Sequence, residues 1–179
     1  MLFISVAFGA MTGGKSTFLY NKYRQISKNK SKKIIVVKHS LDTRFDPNCI
    51  CTYTGSKIPC IPITNLMDIN VSQWDVIIID EAQWFTDLKS FIESNLHHQC
   101  EIYIAGLISD KDQKKFGQLQ DIFHLCSEFH PFDSICEVCG KKTYFQCERP
   151  SLLDISTNTV SPVGGMEKYE NRCNDHINK

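Results

Sequence analysis

Charge of neither sign predominates in this chain, because twenty Lys and Arg offset twenty Asp and Glu. The balance gives no electrostatic case for a duplex-binding or membrane-bound surface, each of which needs a field of one sign. Long apolar runs are missing as well. The stretch from Leu2 to Phe8 is too short to span a bilayer and leads straight into glycines. Neither a signal peptide nor a membrane span is therefore expected, and a cytoplasmic location is. No internal repeat and no low-complexity tract interrupts the sequence. The nine cysteines are an odd number and do not suggest a disulfide framework. In a reducing compartment they read as metal ligands or free thiols, and Cys49, Cys51, Cys60, Cys100, Cys126 and Cys147 are taken as ordinary thiols.

What is present suits one mid-sized core with a small appendage, since domains commonly hold roughly 100–200 residues and the chain has 179. Leu2 to Phe8 is a run of strand formers closed by Gly9, Gly13 and Gly14. From Lys15 onward Phe18, Leu19, Tyr23 and Ile26 recur at helical spacing, so strand, loop and helix follow in order. The basic run Lys28, Lys30, Lys32, Lys33 reads as a solvated turn, and Ile34 to Val37 returns the chain to the sheet. His39 to Pro62, with Asp46-Pro47, Gly55 and Pro59, predicts a long mobile loop on the substrate side. Asp75 to Asp80 predicts a buried strand, Phe85 to Leu96 a helix, and Ile102 to Leu107 another strand. Such alternation implies an α/β fold with a mostly parallel sheet covered by helices. Past Phe132 the composition turns to cysteine, glycine and proline, so a division into residues 1–132 and 133–179 is expected.

Gly9-Ala10-Met11-Thr12-Gly13-Gly14-Lys15-Ser16 matches G-x-x-x-x-G-K-[ST] between a predicted strand and a predicted helix. In that pattern, backbone N–H groups and the helix N-terminus cradle phosphates. Lys15 reaches the outer phosphates and the Ser16 hydroxyl meets Mg²⁺. A glycine-rich turn with a chance lysine is the plainer alternative, which the flanking elements disfavour. Asp80 ends a buried strand, as the acidic partner of a metal–nucleotide site should. Glu81 next to it is a candidate general base for a hydroxyl nucleophile. The plainer alternative is that both carboxylates only cap the following helix. Cys136-x-x-Cys139 and Cys173-x-x-His176 supply three thiolates and an imidazole, a closed set suited to structural Zn²⁺. His97, His98, His124 and His130 have no partner at that spacing.

Taken together, the phosphate loop, Lys38, Asp42-Thr43-Arg44-Phe45, Asp80-Glu81-Ala82-Gln83-Trp84-Phe85, Ala105-Gly106-Leu107, Phe116-Gly117, Gly164-Gly165-x-x-Lys168-Tyr169 and the two metal knuckles resemble the type II thymidine kinases of the cellular and poxvirus kind. The resemblance runs over nearly the whole chain. It implies a P-loop kinase domain with a zinc lobe, using ATP, Mg²⁺ and Zn²⁺ to make thymidine monophosphate. It implies Glu81 as catalytic base and Arg44 as a catalytic cation. Gly9, Met11, Gly13, Gly14, Lys15, Ser16, Thr17, Asp42, Asp80 and Gln83 then belong to the nucleotide site. Met11, Trp84, Leu107, Phe116, Val163, Gly164 and Tyr169 belong to the nucleoside site, with a lasso loop from about Gln146 to Tyr169 closing over the base. A homotetramer and feedback inhibition by thymidine triphosphate are implied too. Ile108 and Lys111 depart from the family pattern after Leu107, and Gln146 stands roughly where a threonine is common. A related deoxynucleoside kinase with altered base preference, or a catalytically weak nucleotide sensor, therefore remain alternatives. DNA binding by the cysteine lobe is a poorer one, for want of interleaved basic and aromatic residues.

Overall fold

The computed structural model describes residues 1–149 and 164–177. Six strands form the central sheet: β1 (Phe3–Gly9), β2 (Ile34–His39), β5 (Ile61–Ile63), β6 (Val76–Asp80), β7 (Glu101–Gly106) and β8 (Glu128–Phe132). Between β2 and β5 lies a hairpin of β3 (Cys49–Cys51) and β4 (Lys57–Pro59). Helix α1 (Lys15–Ile26) follows β1, and α2 (Leu88–Ser94) precedes β7. The spatial order is β5-β2-β6-β7-β1-β8, with every neighbouring pair parallel.

Period-two alternation explains why both faces of the sheet are apolar. Ile77 and Ile79 of β6, with Ile4, Val6, Ile102 and Ile104, pack on one side against Leu66, Phe85, Leu88, Phe91, Ile92 and Ile122. Val76 and Ile78 face the other side, where Leu19 of α1, Tyr103 and the hairpin residues Ile50 and Ile58 close the core. Helical cover is thinner than the sequence predicts. The helix expected from Phe85 to Leu96 is confined to Leu88–Ser94, preceded by a single 3₁₀ turn at Ala82–Trp84. Further 3₁₀ segments, Leu66–Asp68, Val71–Gln73 and Leu119–Leu125, share that face.

His39 to Pro62 is not one irregular loop. Ile50 and Ile58 are buried on the paired strands of its hairpin, Gly55 turns between them at φ 85°, and Ile61–Ile63 adds an edge strand to the main sheet. Pro59 and Pro62 hid these elements, yet proline is compatible with a strand end or an edge position. Beyond β8 come two small antiparallel pairs. One joins β9 (Ser134–Ile135) to β10 (Lys142–Thr143), and the other joins β11 (Gln146–Glu148) to β12 (Tyr169–Asn171). Arg149 braces the second pair through Glu137 at 2.8 Å, Glu170 at 3.4 Å and the Met166 carbonyl at 2.6 Å.

The carboxyl ends of β1 and β6, separated in the sheet by β7 alone, point the same way. Ligands of parallel α/β sheets bind outside such ends, and the loops leaving both strands converge there.

Candidate active site

Gly9 begins the phosphate loop at φ 140°, and a Cβ there would lie 1.9 Å from the Phe132 carbonyl oxygen of β8. Only glycine fits at that distance. Lys15 opens α1 and turns its ammonium back onto the Gly9 carbonyl at 3.1 Å and the Ala10 carbonyl. Burial lowers its pKa to about 8, against the opposing pull of Glu81 and Asp80. Next to it, the Ser16 hydroxyl donates to Asp80 Oδ2 at 3.1 Å. The loop and the end of β6 therefore face each other across hydrogen-bond distance. Asp80 is pushed up to about 7, first by burial and then by Glu81. Thr17 is half-buried one position further along α1.

Helix capping does not account for the acidic pair. Asp80 Oδ1 accepts from the Glu81 amide, and α2 begins only at Leu88. Glu81 sits at φ 54°, in the left-handed region that costs a residue with a Cβ on the order of 1 kcal/mol or more. The turn directs its carboxylate into a line of hydrogen bonds. Asp42 takes Arg44 Nε at 2.6 Å, Arg44 Nη2 donates to Glu81 Oε1, and Gln83 Nε2 donates to Glu81 Oε2 at 2.5 Å. Gln83 Oε1 then accepts from the Leu107 amide at 2.9 Å. Burial alone would depress the Arg44 pKa, but Glu81 and Asp42 hold it above its ordinary range. Burial likewise works to raise Asp42, and Arg44 outweighs it, leaving that carboxyl below its usual value. Gln83, grouped from the sequence with the nucleotide residues, spends its side chain joining Glu81 to Leu107. Gly117 lets it do so: at φ 66° a Cβ would come within 2.3 Å of the Gln83 carbonyl oxygen.

On the far side of Glu81 opens a cavity of about 400 Å³, within the roughly 300–1,000 Å³ of small-molecule sites. Met11, Arg44, Glu81, Gln83, Trp84, Leu107, Phe116, Gly164 and Tyr169 line it. Trp84 and Phe116 meet edge to face, with ring centroids 5.0 Å apart, and form an aromatic wall. Val163 lies outside the described residues. Ile108 packs toward the core, whereas Lys111 reaches the cavity and pairs with Asp112 at 3.2 Å and Glu148 at 3.8 Å. Gln146 is also part of the wall and donates to the Ser109 carbonyl at 2.8 Å. Asp110, Asp112, Glu148 and Lys168 complete the lining. Lys168 belongs to the glycine motif that carries the family resemblance, whereas Asp110, Asp112 and Glu148 are charged side chains at a cavity rim, which carry no spacing signal.

A family model described as thymidine kinase matches residues 2–177. The chain belongs to the thymidine kinase family. A thymidine kinase of Coprothermobacter proteolyticus is 33% identical over 97% of this chain and 89% of its own length. One of Sheeppox virus is 30% identical over 96% of this chain and 94% of its own. A thymidine kinase of Oryza sativa is 29% identical over 97% of this chain, which spans 65% of that relative's length.

As at the phosphate loop, the side chains of the two cysteine knuckles converge in this member of the thymidine kinase family. Cys136, Cys139, Cys173 and His176 bring their ligand atoms within 4.8 Å of one another. Cys139 Sγ lies 3.6 Å from Cys173 Sγ, and His176 Nδ1 lies 3.3 and 3.7 Å from the sulfurs of Cys173 and Cys136. Tetrahedral zinc with bonds of ~2.3 Å has edges of about 3.8 Å, so this donor set fits it. Burial works against ionisation of Cys136, but backbone N–H groups of Cys173, Cys139 and Val138 draw its pKa down to about 6. Among the described residues, no helix is long and apolar enough to cross a membrane.

Proposed function

We propose that this chain transfers the γ-phosphate of ATP to the 5′-hydroxyl of thymidine. The observation that carries the reading is the placement of Glu81 between the two halves of the site, bonded to Arg44 on one side and to Gln83 at the cavity wall on the other. In this mechanism the loop amides, the α1 N-terminus and Lys15 hold the triphosphate. Ser16 and Asp80, a hydroxyl and a carboxylate oxygen 3.1 Å apart, are suited to a hard cation such as Mg²⁺, which when bound neutralises phosphate charge. Glu81 takes the 5′-hydroxyl proton as that oxygen bonds to the γ-phosphorus, and the bond to the bridging oxygen breaks to release ADP. Arg44, one hydrogen bond from Glu81, places positive charge beside the transferring group.

The aromatic pair Trp84 and Phe116 supplies the stacking surface for a base, and this favours a nucleoside acceptor over a protein or lipid hydroxyl. Zn²⁺ on the cysteine knuckles is structural in this reading, because four protein ligands leave no open position. The family resemblance alone supports a homotetramer, feedback inhibition by thymidine triphosphate and a cytoplasmic location. Phosphate transfer from γ-labelled ATP, measured over the natural deoxynucleosides, tests the proposal. Thymidine should have the highest specificity constant. A higher constant for another nucleoside would identify an altered base preference, consistent with Lys111 and Gln146 in the cavity wall, and turnover of none would leave a nucleotide sensor.

A further inference from the structure

Thr12 stands in the middle of the phosphate loop in the left-handed conformation, at φ 59°. Its hydroxyl donates to the carbonyl of its neighbour Met11 at 2.6 Å. The oxygen is left as an acceptor, and two groups from the far end of the chain reach it. Asn171 Nδ2 lies 3.1 Å away and Ser134 Oγ lies 3.1 Å away, while Asn171 Nδ2 also meets Ser134 Oγ at 3.0 Å. One amide nitrogen thus uses both hydrogens on the two hydroxyls, and Ser134 turns its own hydrogen to Thr12. Asn171 is 2% exposed, and its Oδ1 is buried without a partner among the described residues. Buried acceptors are rarely left so; an aliphatic side chain would avoid the loss.

Both outside partners belong to the metal-binding lobe. Ser134 lies two residues before Cys136, and Asn171 two residues before Cys173. Asn171 exchanges backbone contacts with Glu137, inside the first knuckle: the Glu137 amide donates to its carbonyl at 3.0 Å, and its own amide reaches Glu137 Oε1 at 3.3 Å. The cysteine cluster consequently fixes where the Asn171 amide stands. Thr12 is followed directly by Gly13 and Gly14, and the Gly13 amide donates to the Ala10 carbonyl at 3.4 Å.

We propose that Asn171 is a positioning residue for the nucleotide, holding Thr12 in its left-handed conformation so that the loop amides are aimed before ATP arrives. This role rests on the reading of the loop as the ATP site. A loop already ordered binds with less entropy lost, so loosening it weakens nucleotide more than nucleoside.

The test uses the zinc-loaded full-length protein and isothermal titration with Mg²⁺-ADP, alongside KM for ATP and for thymidine. Asn171→Ala and Thr12→Ala should each weaken ADP binding and raise KM for ATP by about tenfold, with KM for thymidine within about twofold of wild type. The double variant should be no worse than either single one, since both remove the same contact. Thr12→Ser, which keeps the hydroxyl, should restore wild-type affinity. Zinc content and melting temperature verify the lobe. Should Asn171→Ala lose zinc, Thr12→Ala carries the test alone, because its exposed side chain lies outside the cluster. Wild-type ADP affinity in Thr12→Ala, multiplying losses in the double variant, or an equal rise in KM for thymidine overturns the inference. A wild-type chain that binds no ADP would instead overturn the ATP-site reading, and this role with it.

Discussion

Arg44 and Glu81 are bonded to each other through Arg44 Nη2 and Glu81 Oε1, although they arise on different loops 37 positions apart. The guanidinium is also held by Asp42, and the carboxylate by Gln83, so neither partner swings freely. A pre-aimed carboxylate beside a fixed cation is what proton abstraction next to a charged phosphoryl group requires.

Replacing Glu81 by Gln keeps the shape and removes the proposed base. Turnover should fall by about 10²–10⁴-fold, with ADP affinity nearly unchanged. Steady-state kinetics and ADP titration on the same preparation check both halves. Undiminished turnover would assign the proton to another group.

Gln83→Leu tests the positioning of that base. The change leaves Glu81 Oε2 and the Leu107 amide without the partner they share, at a cost of about 1–3 kcal/mol for a buried group left unpaired. We expect a lower melting temperature and a reduced kcat, with KM for ATP little altered. A variant with wild-type kcat would show that Arg44 alone suffices to orient Glu81.

His39 sets a pH dependence. Its Nδ1 accepts from the Leu41 amide at 3.1 Å and its ring meets Phe85 at 4.8 Å, while burial lowers its pKa from the ordinary 6.5 against the weaker pull of Asp87. The fold therefore favours the neutral ring, and the unfolded chain takes up the proton first. This contribution to stability is complete above pH 6.5 and is lost as pH falls from there through the lowered folded value. Urea denaturation at pH 7.5 and pH 5.5 should show a smaller loss in His39→Gln than in wild type; equal losses would place the titration elsewhere.

Zinc should be found at one ion per chain by metal analysis. Since structural zinc can contribute on the order of 10 kcal/mol to folding, Cys173→Ser or prolonged chelation should abolish the metal and lower the melting temperature sharply. A chelated protein with the wild-type melting curve would mean that the knuckles need no ion.

Much of this architecture was legible because its signals are local. The loop from Gly9 to Ser16 and the run Val76 to Asp80 have fixed spacings over a few residues, and the structure joins them through Ser16 and Asp80. The metal knuckles are local too. What escaped depends on pairing across the chain. Strand β8, Glu-Phe-His-Pro-Phe, is partly exposed and contains a proline, so nothing within it marks a strand until β1 lies beside it. Asn171 reads as an ordinary polar residue before a cysteine. Only its contact with Thr12, 159 positions away, gives it meaning. The hairpin at Ile50 and Ile58 was masked by its neighbouring prolines, and Arg149 by the ordinariness of a lone arginine.

Strand β8 is the last of the six to be synthesised, yet it lies against β1, the first, with Gly9 paired to Phe132. Until residue 132 has left the ribosome, the strand that ends in the phosphate loop keeps one bare edge of unpaired amides and carbonyls. Such an edge is a template for any passing strand. A translation product that stops before β8 is thus a source of intermolecular aggregation as well as a chain lacking part of its sheet.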